Sequence, residues 1–123
     1  MPAPLKLLDA FQKGEIKDYK LLHDEKKGPS MGKTWLLLDA AVYHVTGATT
    51  YIHRHHGANV TDYNFSMHIG AAIATAIYPL FNTLANEGMA QVPPLFFVLD
   101  TEKLHILNSG TTNEFLKIRV LEF

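Results

Sequence analysis

Apolar residues repeat at helical spacing most clearly between residues 66 and 88. Two rows recur every four positions, as on one face of a helix: Ile69, Ile73, Ile77 and Phe81, and beside them Ala72, Ala76, Leu80 and Leu84. Pro79 lies within this run and should kink the helix or begin a separate segment. The pattern predicts one long apolar helix, buried in the core or partly against another subunit.

The N-terminal third carries shorter amphipathic patterns. Residues 2–14 place apolar side chains at helical intervals and predict a short helix that ends at Gly14. Residues 15–27 are mostly polar with apolar positions three apart, which fits a second helix or an extended arm. A turn or linker follows at residues 28–32. We therefore expect residues 1–32 to form a charged N-terminal helical segment.

The remaining patterns are typical of strands. Residues 33–47 fit a helix or a strand, but their β-branched and aromatic residues favour the strand. The β-rich run 49–56 follows a turn at 47–48, so the two runs should form a hairpin. The C-terminal third predicts an antiparallel meander of three runs, at residues 94–99, 104–107 and 114–123.

Together these elements predict an α+β fold in a single domain, residues 1–123, with its core in residues 33–123. A mainly antiparallel sheet of four to five strands would pack on the one long apolar helix, with short helices at the N-terminus.

Charge is unevenly distributed along the chain. Of its 23 charged residues, 12 lie in residues 1–33 and only four in residues 34–99. So long a stretch with so few charges must hide much of its surface, which predicts a homo-oligomer. The net charge of −1 gives no basic face, so a nucleic-acid partner is not expected.

The composition also limits the chemistry and the compartment. The chain has no cysteine, which excludes disulfides, thiol nucleophiles and iron–sulfur clusters. Its first residues lack the pattern of a signal peptide, which predicts a cytoplasmic protein. Residues 63–86 carry no charge and could span a bilayer. Their polar side chains and the absence of flanking basic residues argue against a membrane partner.

The sequence TYIHRHHGAN, residues 50–59, places three histidines within four positions. On a strand, His53 and His55 share one face, and Arg54 and His56 lie on the other. Two histidines in this spacing can ligate one metal ion, and Asp62 in the following loop is the candidate third ligand. This predicts a zinc, manganese or iron site, with no cofactor certain.

Two further interpretations of the cluster need no metal. His53, His55 and His44 could act as acid and base on a phosphate ester. A binding pocket for a small anionic, nucleotide- or phosphate-like ligand or for a protein partner would be lined by Arg54, His56, Tyr63 and His68. The cluster could also be an ordinary solvated hairpin rim.

Two functions therefore remain open. The first is a small soluble binding or accessory protein. The alternative is a small hydrolase, either metal-dependent or using histidines alone as a phosphodiesterase. His105 is interpreted as an outward-facing polar residue on its strand, without a role in either function.

Overall fold

The computed structural model describes residue 9 and residues 12–59, 61–72, 74–81 and 92–123. Within these ranges the chain forms nine strands in two antiparallel sheets. The strands are β1 (Glu15–Leu22), β2 (Lys26–Lys27), β3 (Trp35–His44), β4 (Thr50–His55), β5 (Tyr63–Ile69), β6 (Ala76–Pro79), β7 (Phe97–Val98), β8 (Lys103–Asn108) and β9 (Phe115–Glu122).

The first sheet has the strand order β1-β9-β3-β6, and the short strand β7 also pairs with β3. β1 pairs with β9 along its whole length, from Glu15 opposite Glu122 to Leu22 opposite Phe115. β9 alternates buried and exposed residues, as expected of a strand with one face on the core. This sheet brings the N-terminal and C-terminal strands together.

The second sheet has the order β2-β8-β4-β5. β4 lies between β8 and β5, and all three pairings are antiparallel. Its inner face carries Ile52, Met67, Leu104 and Ile106, all of which are buried. Its outer face carries His53, His55 and His105, because neighbouring residues of a strand point to opposite faces.

Apolar side chains from both sheets form a single buried cluster. From the first sheet it includes Trp35, Val42 and Val120, each at most 1% exposed. Trp35 stacks on Tyr19, with ring centroids 5.1 Å apart, and its Nε1 donates to Glu122 Oε2 at 3.0 Å. This shared core is what holds the two sheets face to face.

The predicted α+β fold with its long apolar helix is wrong. Within that segment, residues 66–69 belong to β5 and residues 76–79 form β6, and residues 73 and 82–88 lie outside the described part of the chain. In β5, Phe65, Met67 and Ile69 alternate with polar residues. This period of two indicates a strand, although the spacing of four over the longer segment had indicated a helix. The described residues form no helix whose length and apolar character would let it span a bilayer.

The N-terminal helical segment is corrected in the same way. Residues 15–27 contain β1 and β2 rather than a second helix. β1 carries β-forming residues and gains a full-length partner in β9, so pairing distant in sequence outweighs local helical spacing. Of the short helix predicted at residues 2–14, most positions lie outside the described residues.

The strand preferred for residues 33–47 is confirmed as β3, but two predicted pairings are wrong. β3 and β4 do not form a hairpin, because they belong to different sheets. The C-terminal runs do not form a meander either: β7 and β9 pair with β3, whereas β8 pairs with β2 and β4. The connections after β3, β7 and β8 each carry the chain to the other sheet instead of back along the same sheet.

Candidate metal centre

Three histidines meet on the outer face of the second sheet. His53 and His55 lie two residues apart on β4 and therefore point to the same side. His105, on the neighbouring strand β8, lies directly opposite His53. Each histidine offers a ring nitrogen, and these three nitrogens all lie within 4.8 Å of one another.

All three histidine side chains are buried although they face away from the core. His53, His55 and His105 are 7%, 2% and 0% exposed, respectively. Their rings are packed against one another, with centroids 4.7 Å apart for His55 and His105 and 5.6 Å apart for His53 and His55. Such burial distinguishes the cluster from the solvated hairpin rim considered from the sequence.

A β-bulge brings Tyr63 over the cluster. The register of β4 against β5 shifts by one residue, so that His55 pairs with Tyr63 while Arg54 pairs with Phe65. The extra residue, Asn64, reverses the alternation of β5 at this point. Tyr63 therefore joins the outer face, where its ring stacks on that of His53 at a centroid distance of 4.2 Å.

Asp24 anchors His105 from the far side of the ring. Asp24 has a φ of 60° in the turn after β1, and its backbone N–H donates to the Ile106 carbonyl oxygen at 3.0 Å. The turn holds Asp24 Oδ1 at 2.5 Å from His105 Nε2. A hydrogen bond from His105 lowers the pKa of Asp24, so the ionised carboxylate accepts and His105 Nε2 donates.

This bond fixes the proton on His105 and frees its other nitrogen. A neutral imidazole with its proton on Nε2 has a lone pair on Nδ1. His105 Nδ1 lies 2.8 Å from His55 Nε2. Without a metal, His55 Nε2–H donates to this lone pair. With a metal, both nitrogens could offer lone pairs to the ion, provided that His55 carries its proton on Nδ1.

Two histidines of the cluster, His53 and His55, are kept neutral near physiological pH. Burial, followed by the positive charges of His55 and His105, lowers the pKa of His53 from 6.5 to about 4. Burial also lowers the pKa of His55, assisted by the charges of His105 and Lys26. Only a neutral imidazole can ligate a metal, so these shifts leave the donors ready at neutral pH.

In the metal-free protein, lowering the pH from about 7.5 to about 5 should reduce the free energy of unfolding. Between the folded pKa of His53, about 4, and the ordinary value of 6.5, the unfolded chain binds the additional proton. The contribution of His53 is complete above the ordinary value and is lost as the pH falls toward 4. Full protonation of His53 would lower the free energy of unfolding by about 3 kcal/mol.

Urea unfolding with a chelator present, at both pH values, measures this loss. His53→Gln should be less sensitive to pH than the wild type, whereas His56→Gln should match the wild type because His56 is exposed. Equal pH sensitivity of the wild type and His53→Gln would show that His53 is not the group responsible.

The structure places Asp62 outside the three-histidine group. Its Oδ2 accepts a hydrogen bond from the Asn59 N–H at 3.1 Å, and its carbonyl oxygen accepts one from the His56 N–H at 2.9 Å. Its side chain also packs against Gly57, where an added Cβ would lie 2.5 Å from Oδ2. Asp62 shapes the loop beside the site, and the carboxylate that contacts a histidine of the cluster is Asp24.

Arg54 and His44 lie on the other side of the second sheet from the cluster. Arg54 faces inward, where its Nε donates to Asn64 Oδ1 at 2.8 Å and its Nη1 donates to the Phe97 carbonyl oxygen at 2.8 Å. His44 is fully buried, with its Nδ1 3.0 Å from Thr50 Oγ1. The structure therefore gives both residues contacts within the protein, away from the three histidines.

The other predicted ligand-binding residues surround the site. Tyr63 contacts His53, as described above. His68 is exposed and lies 5.9 Å from the ring of Tyr51, which in turn lies 6.0 Å from the ring of His53. His56 follows the end of β4 and borders a pocket next to His55.

Two residues of the site, His105 and Asp24, were missed from the sequence. His105 lies between Leu104 and Ile106 in an apolar strand, and a polar residue flanked in this way signals a functional face opposite the core. That signal does not tell which strand is the neighbour. Asp24 lies in a turn far from β8 in sequence, and only the pairing of β2 with β8 brings it to His105.

No family model matches this chain, and comparisons with curated proteins and with solved structures give no significant match either. The chemistry of the site must therefore be argued from its geometry. Three imidazoles with a carboxylate behind one of them form a donor set that suits zinc and neighbouring transition metals.

Proposed function

We propose that the protein binds one divalent transition-metal ion, of which zinc is the reference case, through His53, His55 and His105. The observation that carries the proposal is the convergence of three buried histidine nitrogens within 4.8 Å. Nitrogens that ligate one zinc ion lie at about 2.0–2.1 Å from it, so they must approach one another to within a few ångströms.

The surroundings of the triad support a metal rather than a purely structural packing. Among the described residues, the buried Nδ1 atom of His53 has no hydrogen-bond partner, and such an unpaired buried group is costly unless something binds it. Asp24 holds His105 in the tautomer and orientation that a ligand needs. Three protein ligands would leave a coordination position for water or a small ligand.

The direct test is a zinc titration of the full chain after removal of metal by a chelator. We expect one equivalent to bind to the wild type and none to His53→Ala/His55→Ala. His56→Ala/His68→Ala is the matched control, since it removes two nearby exposed histidines and should keep the site. Absence of zinc binding by a folded wild type, or retention by the first double variant, would refute the proposal.

Asp24→Asn should weaken zinc binding by about 10- to 100-fold, the usual effect of losing a carboxylate behind a ligating histidine. The amide cannot supply the negative charge that polarises His105, although it keeps the shape of the side chain. Calorimetric titration measures the change. Asp100→Asn removes a carboxylate that instead accepts a hydrogen bond from the Gly32 N–H, and its affinity should equal that of the wild type.

A second candidate function is hydrolysis by the histidines alone. The continuous chain from Asp24 through His105 to His55, with contacts of 2.5 and 2.8 Å, favours it, because such a chain can orient an imidazole and accept a proton. Phosphodiester cleavage that persists in excess chelator and disappears in His55→Ala would support this candidate over the metal.

The proposal also includes compartment and assembly. We propose that the protein acts in the cytoplasm, where chains without disulfides are the norm, and that it self-associates. Exposed apolar residues such as Ile77 and Leu99, 54% and 49% exposed, support self-association. Light scattering at several concentrations would test it, and a constant monomer mass would refute it.

A further inference from the structure

A small pocket opens beside the histidine triad. It has a volume of about 260 Å³ and is bordered by His55, by the loop residues His56, Gly57 and Ala58, and by a turn at Thr101. This volume is slightly below that of pockets for drug-sized ligands, so it suits a small molecule. Since His55 belongs to both the triad and the pocket wall, a molecule held here would lie next to the proposed metal.

Two lysines give the pocket a positive charge. Lys103 lies opposite His55 and Lys26 lies opposite His105 in the strand registers, and both lysines border the pocket. In the described part of the chain, neither ammonium group forms an ion pair within 4.0 Å of a carboxylate. Two cations at one small pocket favour an anionic occupant.

The neighbouring carboxylates form their hydrogen bonds with groups other than these two lysines, although the charge of Lys26 contributes to the lowered pKa of Asp24. Asp24 binds His105, and Asp62 accepts the Asn59 N–H. Glu102 accepts the Leu99 N–H at 2.9 Å and the side chain of Asn64 at 2.5 Å. The acidic groups closest in sequence and register therefore hold the walls in place, and the cationic groups remain available to a ligand.

The chemistry of the pocket favours a phosphoryl group over a carboxylate. Lysine is a common phosphate ligand that acts as a point charge, and two lysines match the double charge of a phosphate dianion more fully than the single charge of a carboxylate. Thr101, whose hydroxyl can donate a hydrogen bond, also borders the pocket.

We propose that this pocket binds the phosphoryl group of a small phosphate compound beside the metal ion. The proposal deepens the proposed function and rests on it for the neighbouring metal, whereas the pocket and its two lysines stand without it. The site would then bring a metal ion and a phosphoryl oxygen together at the edge of the second sheet.

The test is a titration of the ¹⁵N-labelled, zinc-loaded full chain with inorganic phosphate, followed at the amide signals of Gly57, Ala58 and Thr101. We expect saturable shifts at these amides and at least a tenfold weaker affinity in Lys26→Gln/Lys103→Gln. The control Lys13→Gln/Lys33→Gln makes the same change in net charge at exposed positions and should bind as the wild type does.

Two further titrations, with methyl phosphate and with acetate, separate the outcomes. Methyl phosphate that binds more tightly than inorganic phosphate would indicate a phosphate ester, and the reverse order would indicate the free ion; both support a phosphoryl site. Acetate that binds equally well would overturn it, as would unchanged phosphate affinity in Lys26→Gln/Lys103→Gln. If phosphate shifts the amide signals of a chain that fails to bind zinc, the pocket is supported and the metal site is refuted. If the chain binds zinc but phosphate leaves the amide signals unchanged, only the pocket is refuted.

Discussion

Replacing His105 with alanine is expected to weaken zinc binding by more than the roughly 100-fold that loss of a partner behind a ligand can cost. His105 supplies one of three nitrogens and also connects the site to Asp24. Its removal leaves two histidines on one strand, and a site with two protein nitrogens holds its metal far less well. Isothermal titration of the chelator-treated protein measures the loss.

Because His105 is fully buried, the alanine variant needs a check on folding. His105→Gln keeps a polar side chain of comparable length and serves as the second variant. Both should retain the wild-type dispersion of amide signals while losing zinc affinity. Wild-type affinity in either folded variant would mean that His105 is not a ligand and that the triad is incorrectly assigned.

Trp35→Ala is expected to lower the free energy of unfolding by roughly 3–5 kcal/mol. Trp35 is 1% exposed at the centre of the core, stacks on Tyr19, and donates a hydrogen bond to Glu122 Oε2. The substitution opens a cavity and leaves that carboxylate oxygen with one donor fewer. A loss of this size is a large fraction of the stability of an ordinary domain.

Chemical denaturation followed by circular dichroism measures this effect. Met31→Ala is the control, because Met31 is 95% exposed and its removal should change stability by less than about 0.5 kcal/mol. The free energy of unfolding of Trp35→Phe should lie between those of Trp35→Ala and Met31→Ala, since phenylalanine keeps most of the apolar volume but not the hydrogen bond. Equal stability of Trp35→Ala and the wild type would contradict the two-sheet core.

Local strand signals in the sequence were more reliable than the pairings inferred from them. Residues 33–47 were assigned to a strand from β-branched and aromatic content, and β3 confirms this. The hairpin with β4 failed because a short turn at 47–48 suits a crossing between sheets as well as a return along one sheet. Pairing depends on which faces are buried together, and that is decided by contacts distant in sequence.

The apolar segment at 66–88 shows why spacing misled the helix prediction. Isoleucines every four residues also fit a strand, a turn and a second strand, since a period of two includes every fourth position. Gly70 and Pro79 mark the places where β5 and β6 end. Both residues are expected at strand ends and turns as much as at helix ends.

The sequence predicts two of the three histidines of the candidate site. The spacing of His53 and His55 placed two histidines on one face, and the structure brings them together. Proximity in sequence predicts Asp62 as the third ligand, whereas His105 reaches the site through the pairing of β8 with β4. The sequence gives no signal for Asp24, because only the pairing of β2 with β8 brings it to His105.

X-ray absorption at the zinc edge of the full chain, loaded with one equivalent, tests the central claim most directly. We predict nitrogen neighbours at about 2.0–2.1 Å and the outer-shell scattering of three imidazole rings, one of which disappears in His105→Gln. A shell of oxygen atoms without imidazole scattering, or a spectrum that His105→Gln leaves unchanged, would contradict a metal centre formed by His53, His55 and His105.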